Sequence, residues 1–257
     1  MRSPGRHLAQ PEDIGAVVEL HRGGRRSQGR LGPAVRDRME RSTKPYNRPL
    51  DLRRRMHGGQ LVARALRAEG VDTIFALTGG HILPILDGCV LEGIRIVDVR
   101  HEQTAVHAAE AYGRLTGKLG VAVVTAGPGV TDAITGMASA HYSSTPLLLL
   151  GGRHYIRQET MGGLQEMNHP LLFGSITRWA ATAWETSKLP LYIATAARHA
   201  FSGRGGPVFL DVPLDVQADM VRDDGIEWPD HYRPNVSAMA DQATLVRIAS
   251  MIAEAER

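Results

Sequence analysis

A unit of apolar strand, glycine turn and helix, returning about every 25 residues, constrains this chain more than any other feature. Thr73–Leu77 is an apolar run that stops at Thr78-Gly79-Gly80-His81. Gly120–Thr125 stops at Ala126-Gly127-Pro128-Gly129, and Pro146–Leu150 closes on Gly151-Gly152. Runs that apolar, alternating with helical spacing, cannot expose a face to water. They imply an α/β fold: a doubly wound, mostly parallel sheet with helices on both faces and right-handed crossovers. The aromatic content of 5% within a 43% apolar composition suits such an alanine-rich core.

The remaining elements follow from the same pattern. Gln60–Gly70 has apolar residues at helical spacing and a closing glycine, and Ile82–Leu91 is helical with Pro84 in its first turn, where proline is tolerated. Ile94–Val99 reads as a buried strand, and Val130–Tyr142 as one helix. Residues 153–178 are expected to form an irregular loop over the strand ends. A helix near Leu189–Ser202 and the strand Pro207–Val212 complete the sheet. Asp215–Asn235 reads as a linker, and Ala243–Ala255 as an amphipathic helix with nothing obvious to pack on.

The organising point is Glu102. It stands where the strand ending at Val99 hands over to a helix beginning near Thr104, at the sheet edge where open α/β folds bind ligands. A carboxylate there has two readings. One is a first-turn residue set against the helix dipole, worth about 0.3–1 kcal/mol. The other is a general acid/base in a cleft between strand ends.

Charge divides the chain. Residues 1–55 hold 14 Lys+Arg and 6 Asp+Glu, whereas 56–257 hold 16 and 21, so a head of +8 precedes a body of −5. The basic balance belongs to the head, and nucleic-acid binding by the folded body is not expected. Residues 1–55 lack apolar periodicity and are expected to be a disordered basic extension. Three readings stay open for them: a nucleic-acid-binding arm, a targeting segment, or an upstream extension with Met56 as the natural start. The third is favoured because organised sequence begins directly after Met56. Cys89 as the sole cysteine excludes a disulfide framework and suits a reducing, cytoplasmic setting. No apolar run is long enough for a membrane span.

Several chemistries fail on spacing. Neither glycine turn has G-x-G-x-x-G, Pro128 removes an N–H that a phosphate cradle would use, and no P-loop occurs. His101-Glu102 would need histidine at Ala105 for a zincin site. No metal-binding set is expected. His107 reads as a core or interface histidine.

Six stretches nonetheless come in a recognisable order: Ala68-Glu69-Gly70-Val71, Gly79-Gly80-His81-Ile82-Leu83-Pro84, Arg100-His101-Glu102-Gln103, Ala108 to Gly117, Val124-Thr125-Ala126-Gly127-Pro128-Gly129, and Gly206 to Pro213. Over residues 57–220 the chain resembles the N-terminal, pyrimidine-binding domain of thiamine diphosphate enzymes of the acetolactate synthase and 2-hydroxyacyl-CoA lyase group. The resemblance implies a domain at 56–220, followed at 221–257 by a linker and the first helix of a truncated central domain. It gives Glu102 the cofactor-activating role: hydrogen-bonded to N1′ of the aminopyrimidine, the carboxyl favours the imino tautomer that serves deprotonation at the thiazolium C2. Such a group must give and take a proton, while the carbanion chemistry belongs to the cofactor. Thr78, Gly79, Gly80, Gly127, Pro128 and Gly129 would line the pyrimidine pocket. Gln165 and His81 would lie on the substrate side.

The departures are informative. Leu164 stands before Gln165 where acetolactate synthases carry an aromatic residue, which leans toward the lyase-like branch. The family holds the diphosphate and Mg²⁺ through a C-terminal domain with a G-D-G…N motif, and Gly-Asp-Gly does not occur in these 257 residues. The expected partners are therefore a 2-keto acid or 2-hydroxyacyl-CoA substrate and the diphosphate-binding domain of a neighbouring subunit in a homodimer or tetramer. FAD binding by the parent enzyme stays open. The expected function is the cofactor-activating part of a carboligase, decarboxylase or lyase, inactive alone. The alternative is a non-catalytic interaction or regulatory remnant that keeps the dimer surface.

Overall fold

The computed structural model describes residues 55–229 and 239–256. Six parallel strands form the central sheet: β2 (Thr73–Ala76), β3 (Arg95–Asp98), β4 (Gly120–Val124), β5 (Leu147–Arg153), β6 (Trp179–Thr182) and β7 (Pro207–Pro213), in the order β3-β2-β4-β5-β7-β6. Strand order reverses around β2 and β4, so a crevice opens where their carboxyl ends diverge.

Alternation along the strands builds two cores. Ile74, Val121, Val123, Leu148, Leu150, Val208 and Leu210 face one side, where they pack with α1 (Gly58–Ala68), α2 (Leu83–Leu91) and α7 (Leu189–Phe201). Phe75, Ala122, Val124, Leu147, Leu149 and Phe209 face the other, against α3 (Glu102–Thr116) and α5 (Ile134–Ser143). Helices on both faces bear out the doubly wound α/β reading. Short elements complete the chain: β1 (Arg55–His57), α4 (Pro128–Asp132), α6 (Pro170–Phe173), α8 (Leu214–Ala218), β8 (Met220–Arg222) and α9 (Gln242–Glu254).

Some expectations are corrected. The strand expected to be buried, β3, is the sheet edge: paired only with β2, it leaves Arg95 and Asp98 exposed. Its apolar run reflects Ile96 and Val97, which pack sideways against the two cores. The expected stop at Gly151-Gly152 does not occur. β5 runs through both glycines to Arg153, since Gly151 lies under the Phe209 ring and Gly152 against the His81 backbone. Here glycine allows close approach, not chain reversal. The helix expected over 130–142 divides at Ala133 into α4 and α5. The loop expected over 153–178 is interrupted by α6 and followed by an unforeseen strand, β6, which pairs with β7.

The antiparallel pair β1–β8 ties residues 55–57 to 220–222, so the stretch expected to be a linker from Asp215 begins instead with α8 and β8. The helix α9 forms with Asp241 as its N-cap and buries none of its residues. The extension expected to be disordered lies, except for Arg55, outside the described residues. Among the described residues no helix is long and apolar enough to cross a membrane.

Candidate functional site

Glu102 is the first residue of α3, directly after the N-cap His101, whose ring accepts from the Gln103 N–H. The side chain is partly buried, and among the described residues no hydrogen bond or ion pair engages its carboxylate. It faces the second glycine turn: a Cβ added at Gly129 would lie 3.3 Å from Glu102 Oε1 and 2.9 Å from Thr125 Cγ2. Thr125 joins the two turns, because a Cβ at Gly79 would fall 2.6 Å from its Oγ1. The Thr125 hydroxyl also sits 3.4 Å from His81 Nδ1. Glu102, both turns and His81 therefore meet around one threonine at the crevice mouth.

The second turn is shaped in advance. Gly127 adopts φ +61°, ψ −113°, which a side chain disfavours, and its missing Cβ leaves room for Gln165 at 2.9 Å. Gln165 itself sits at φ +59°. The loop thus brings Gln165, expected on the substrate side, onto the second turn. Thr78 and Gly80 are exposed at the rim, and Pro128 is exposed at the start of α4. His81, by contrast, is buried at 8% exposure beneath the first turn, its carbonyl accepting from Gln217. Burial, then the neighbouring His154 and His169, push its pKa down.

A buried relay that motif reading missed holds the second turn in place. The Gly127 N–H donates to His169 Nε2 at 2.9 Å, and His169 Nδ1 lies 2.9 Å from Asp211 Oδ1. Since a backbone N–H can only donate, Nε2 is the acceptor and the ring proton sits on Nδ1, bonded to Asp211. The other Asp211 oxygen accepts from Arg153 Nη1 at 2.9 Å. His169 and Asp211 are fully buried and Arg153 nearly so. Burial acts to lower the Arg153 pKa, but the Glu159 and Asp211 carboxylates outweigh it and the net direction is up. One signal was readable: Asp211 lies inside the apolar run Leu210-Asp211-Val212, where a carboxylate needs partners. Nothing around His169 marked it.

His107, expected in the core or an interface, lies outside the core: it is exposed on α3, its Nδ1 3.8 Å from Glu110. Buried Glu110 instead accepts from Ser139 and Ser143 of α5, a link between two helices. The His154, Glu159 and Glu166 side chains converge in the loop after β5, a cluster the sequence reading did not anticipate. Glu166 accepts from the backbone N–H groups of Thr160, Gly162 and Gly163, and those of Thr160 and Gly163 are the main cause holding its carboxyl below the usual value.

Residues 56–172 match the family described as thiamine pyrophosphate enzyme, N-terminal TPP binding domain. A probable acetolactate synthase of Mycobacterium bovis is 45% identical over 170 residues, covering 66% of this chain and 31% of its own. The 2-hydroxyacyl-CoA lyase 2 of Mus musculus is 46% identical over 160 residues, 62% of this chain and 25% of its own. That of Caenorhabditis elegans is 43% identical over 167 residues, 65% and 26% respectively. The chain thus spans a third or less of the length of these relatives.

Proposed function

We propose that the chain carries the N-terminal domain of a thiamine-diphosphate-dependent enzyme, and that Glu102 with the Thr78–Gly80 and Gly127–Gly129 turns forms its pyrimidine-end site. The observation that carries this reading is the Glu102 carboxylate. It is partly buried, faces a turn whose glycines leave the space a Cβ would fill, and has no protein partner among the described residues. That arrangement fits a flat heteroaromatic ring with a nitrogen to be hydrogen-bonded. When bound, thiamine diphosphate supplies a carbon nucleophile and electron sink for cleaving or joining bonds next to a carbonyl.

The chain's own residues contribute position and proton exchange. Glu102 would hold or release a proton at the pyrimidine N1′. Backbone groups of Gly79, Gly127 and Gly129 would contact the ring closely. Pro128 would border it from outside, and the His169–Asp211–Arg153 relay would keep the second turn shaped before any ligand arrives. Gln165 over Gly127, and His81 beneath the first turn, would face the reacting end. A separate diphosphate-binding domain, from a neighbouring subunit of a homo-oligomer, would hold the diphosphate with Mg²⁺. The substrate is proposed to be a 2-keto acid or a 2-hydroxyacyl-CoA, acted on in the cytoplasm, with Leu164 favouring the lyase-like branch.

The test joins residues 56–229 to the remaining domains of the Mycobacterium bovis relative and measures turnover with Mg²⁺, thiamine diphosphate and either substrate class. The unmodified hybrid is expected to be active, and Glu102→Ala and Glu102→Gln to lose about 10²–10⁴-fold in kcat. Equal activity in all three hybrids would remove Glu102 from the chemistry. It would favour a remnant kept for its binding surface.

A further inference from the structure

One cluster outside the proposed site is short of positive charge. His154, at the end of the strand-to-loop connection after β5, is 1% exposed, and neither ring nitrogen has a hydrogen-bond partner among the described residues. A buried imidazole in that state has given up the hydrogen bonds it makes in water unless a ligand replaces them. Its Nε2 lies 3.4 Å from Glu159 Oε2 and 4.0 Å from Glu166 Oε1, and the three ligand atoms fall within 4.8 Å of one another. Nearby, the Arg153 guanidinium is shared between Asp211 and Glu159, and Glu166 pairs with no lysine or arginine among the described residues.

We propose that His154, Glu159 and Glu166 form a binding site for a divalent transition-metal cation of the zinc class. An ion at the centre of the triangle of these three atoms would lie about 2.5 Å from each. The ordinary bond lengths of about 2.0–2.2 Å therefore need only a small inward swing of the half-exposed Glu159. An imidazole among oxygen donors favours zinc over magnesium, which prefers oxygen and retains its waters. Access is direct, since both glutamates line a solvent-open depression of about 480 Å³. Three protein ligands leave at least one position for water. Bound there, the ion would fasten the end of β5 to Glu166, the residue after Gln165, and so stiffen the loop lying on Gly127. The site stands on these side chains alone and not on the cofactor reading.

The test titrates the metal-stripped full chain with ZnCl₂ and with MgCl₂ by calorimetry, without cofactor or substrate. One zinc per chain is expected at micromolar Kd or tighter, with no magnesium binding in the same range. Glu159→Gln and His154→Gln should each weaken zinc at least about tenfold. Should His154→Gln fail to fold, the half-exposed Glu159→Gln carries the comparison, read also by loss of the visible d–d bands of bound Co²⁺. Zinc affinity unchanged in Glu159→Gln, or no saturable zinc binding below millimolar, would overturn the site and leave His154 as a buried side chain flanked by the two glutamates.

Discussion

The two glycine turns occupy equivalent positions, each between a strand's carboxyl end and a helix, yet they are held very differently. At the first, Gly79 is extended at φ −159°, Gly80 has nothing near its open face, and side-chain support comes from Thr125. At the second, Gly127 sits in a left-handed conformation, bonded to a buried histidine, capped by Gln165 and followed by a glycine pressed toward Glu102. Similar sequences thus give one accommodating rim and one preset cradle. The difference comes from residues 42 and 84 positions further along the chain, His169 and Asp211.

Removing the support is the harshest way to break this contrast. Asp211→Ala leaves Arg153 and His169 buried without their shared carboxylate, which should cost about 3–5 kcal/mol and lower Tm by several degrees in thermal unfolding. A variant as stable as the parent would mean the relay does not matter to the fold. Next comes a paired substitution. Gly127→Ala forces a strained φ and a 2.9 Å contact with Gln165, an expected loss of about 1–3 kcal/mol, whereas Gly80→Ala should change stability by less than about 0.5 kcal/mol. Equal losses in denaturant unfolding would erase the distinction between the turns.

Smaller effects sharpen the frame around them. Cys89, buried in α2 on the core side, has its thiol pushed up to about 12 by burial. It should resist thiol reagents at neutral pH until the chain unfolds. Fast modification of the native protein would show that this side of the core opens easily. On the surface, hydrogen bonds from Lys118 and Tyr112 lower the Asp72 carboxyl from 3.8 to about 2. A depressed carboxyl stabilises the fold above its unfolded value, and that contribution is lost as pH falls from about 4 toward 2. The Tm gap between wild type and Asp72→Asn should therefore close across that acid window. Its size should be modest at an exposed pair, and a gap that persists at pH 2 would contradict it.

Much of this was legible from order alone. Glycine turns after apolar runs located the crevice, and Glu102 at the strand-to-helix handover lies where position implied. Gln165 lies on the second turn, in the loop expected over that sheet edge. What escaped notice depends on three-dimensional neighbours. The sequence Trp179-Ala180-Ala181-Thr182 is only four residues long, with two alanines between its strand-favouring ends, and it pairs because β7 offers a free edge. Gly151 and Gly152 resemble a break but fill a tight contact with Phe209 and His81. His169 follows a polar loop and becomes a buried acceptor only once β7 places Asp211 beside it.

The central claim is that Glu102 and the second glycine turn receive the pyrimidine end of the cofactor. The most direct measurement is a ¹⁵N–¹H titration of the full chain with thiamine diphosphate, comparing wild type with Glu102→Ala. The account predicts saturable shifts centred on the amides of Gln103, Gly127 and Gly129, weakened or lost in the variant. Shifts confined to the groove lined by Tyr155, Trp184 and Asp215, or identical in both proteins, would contradict it.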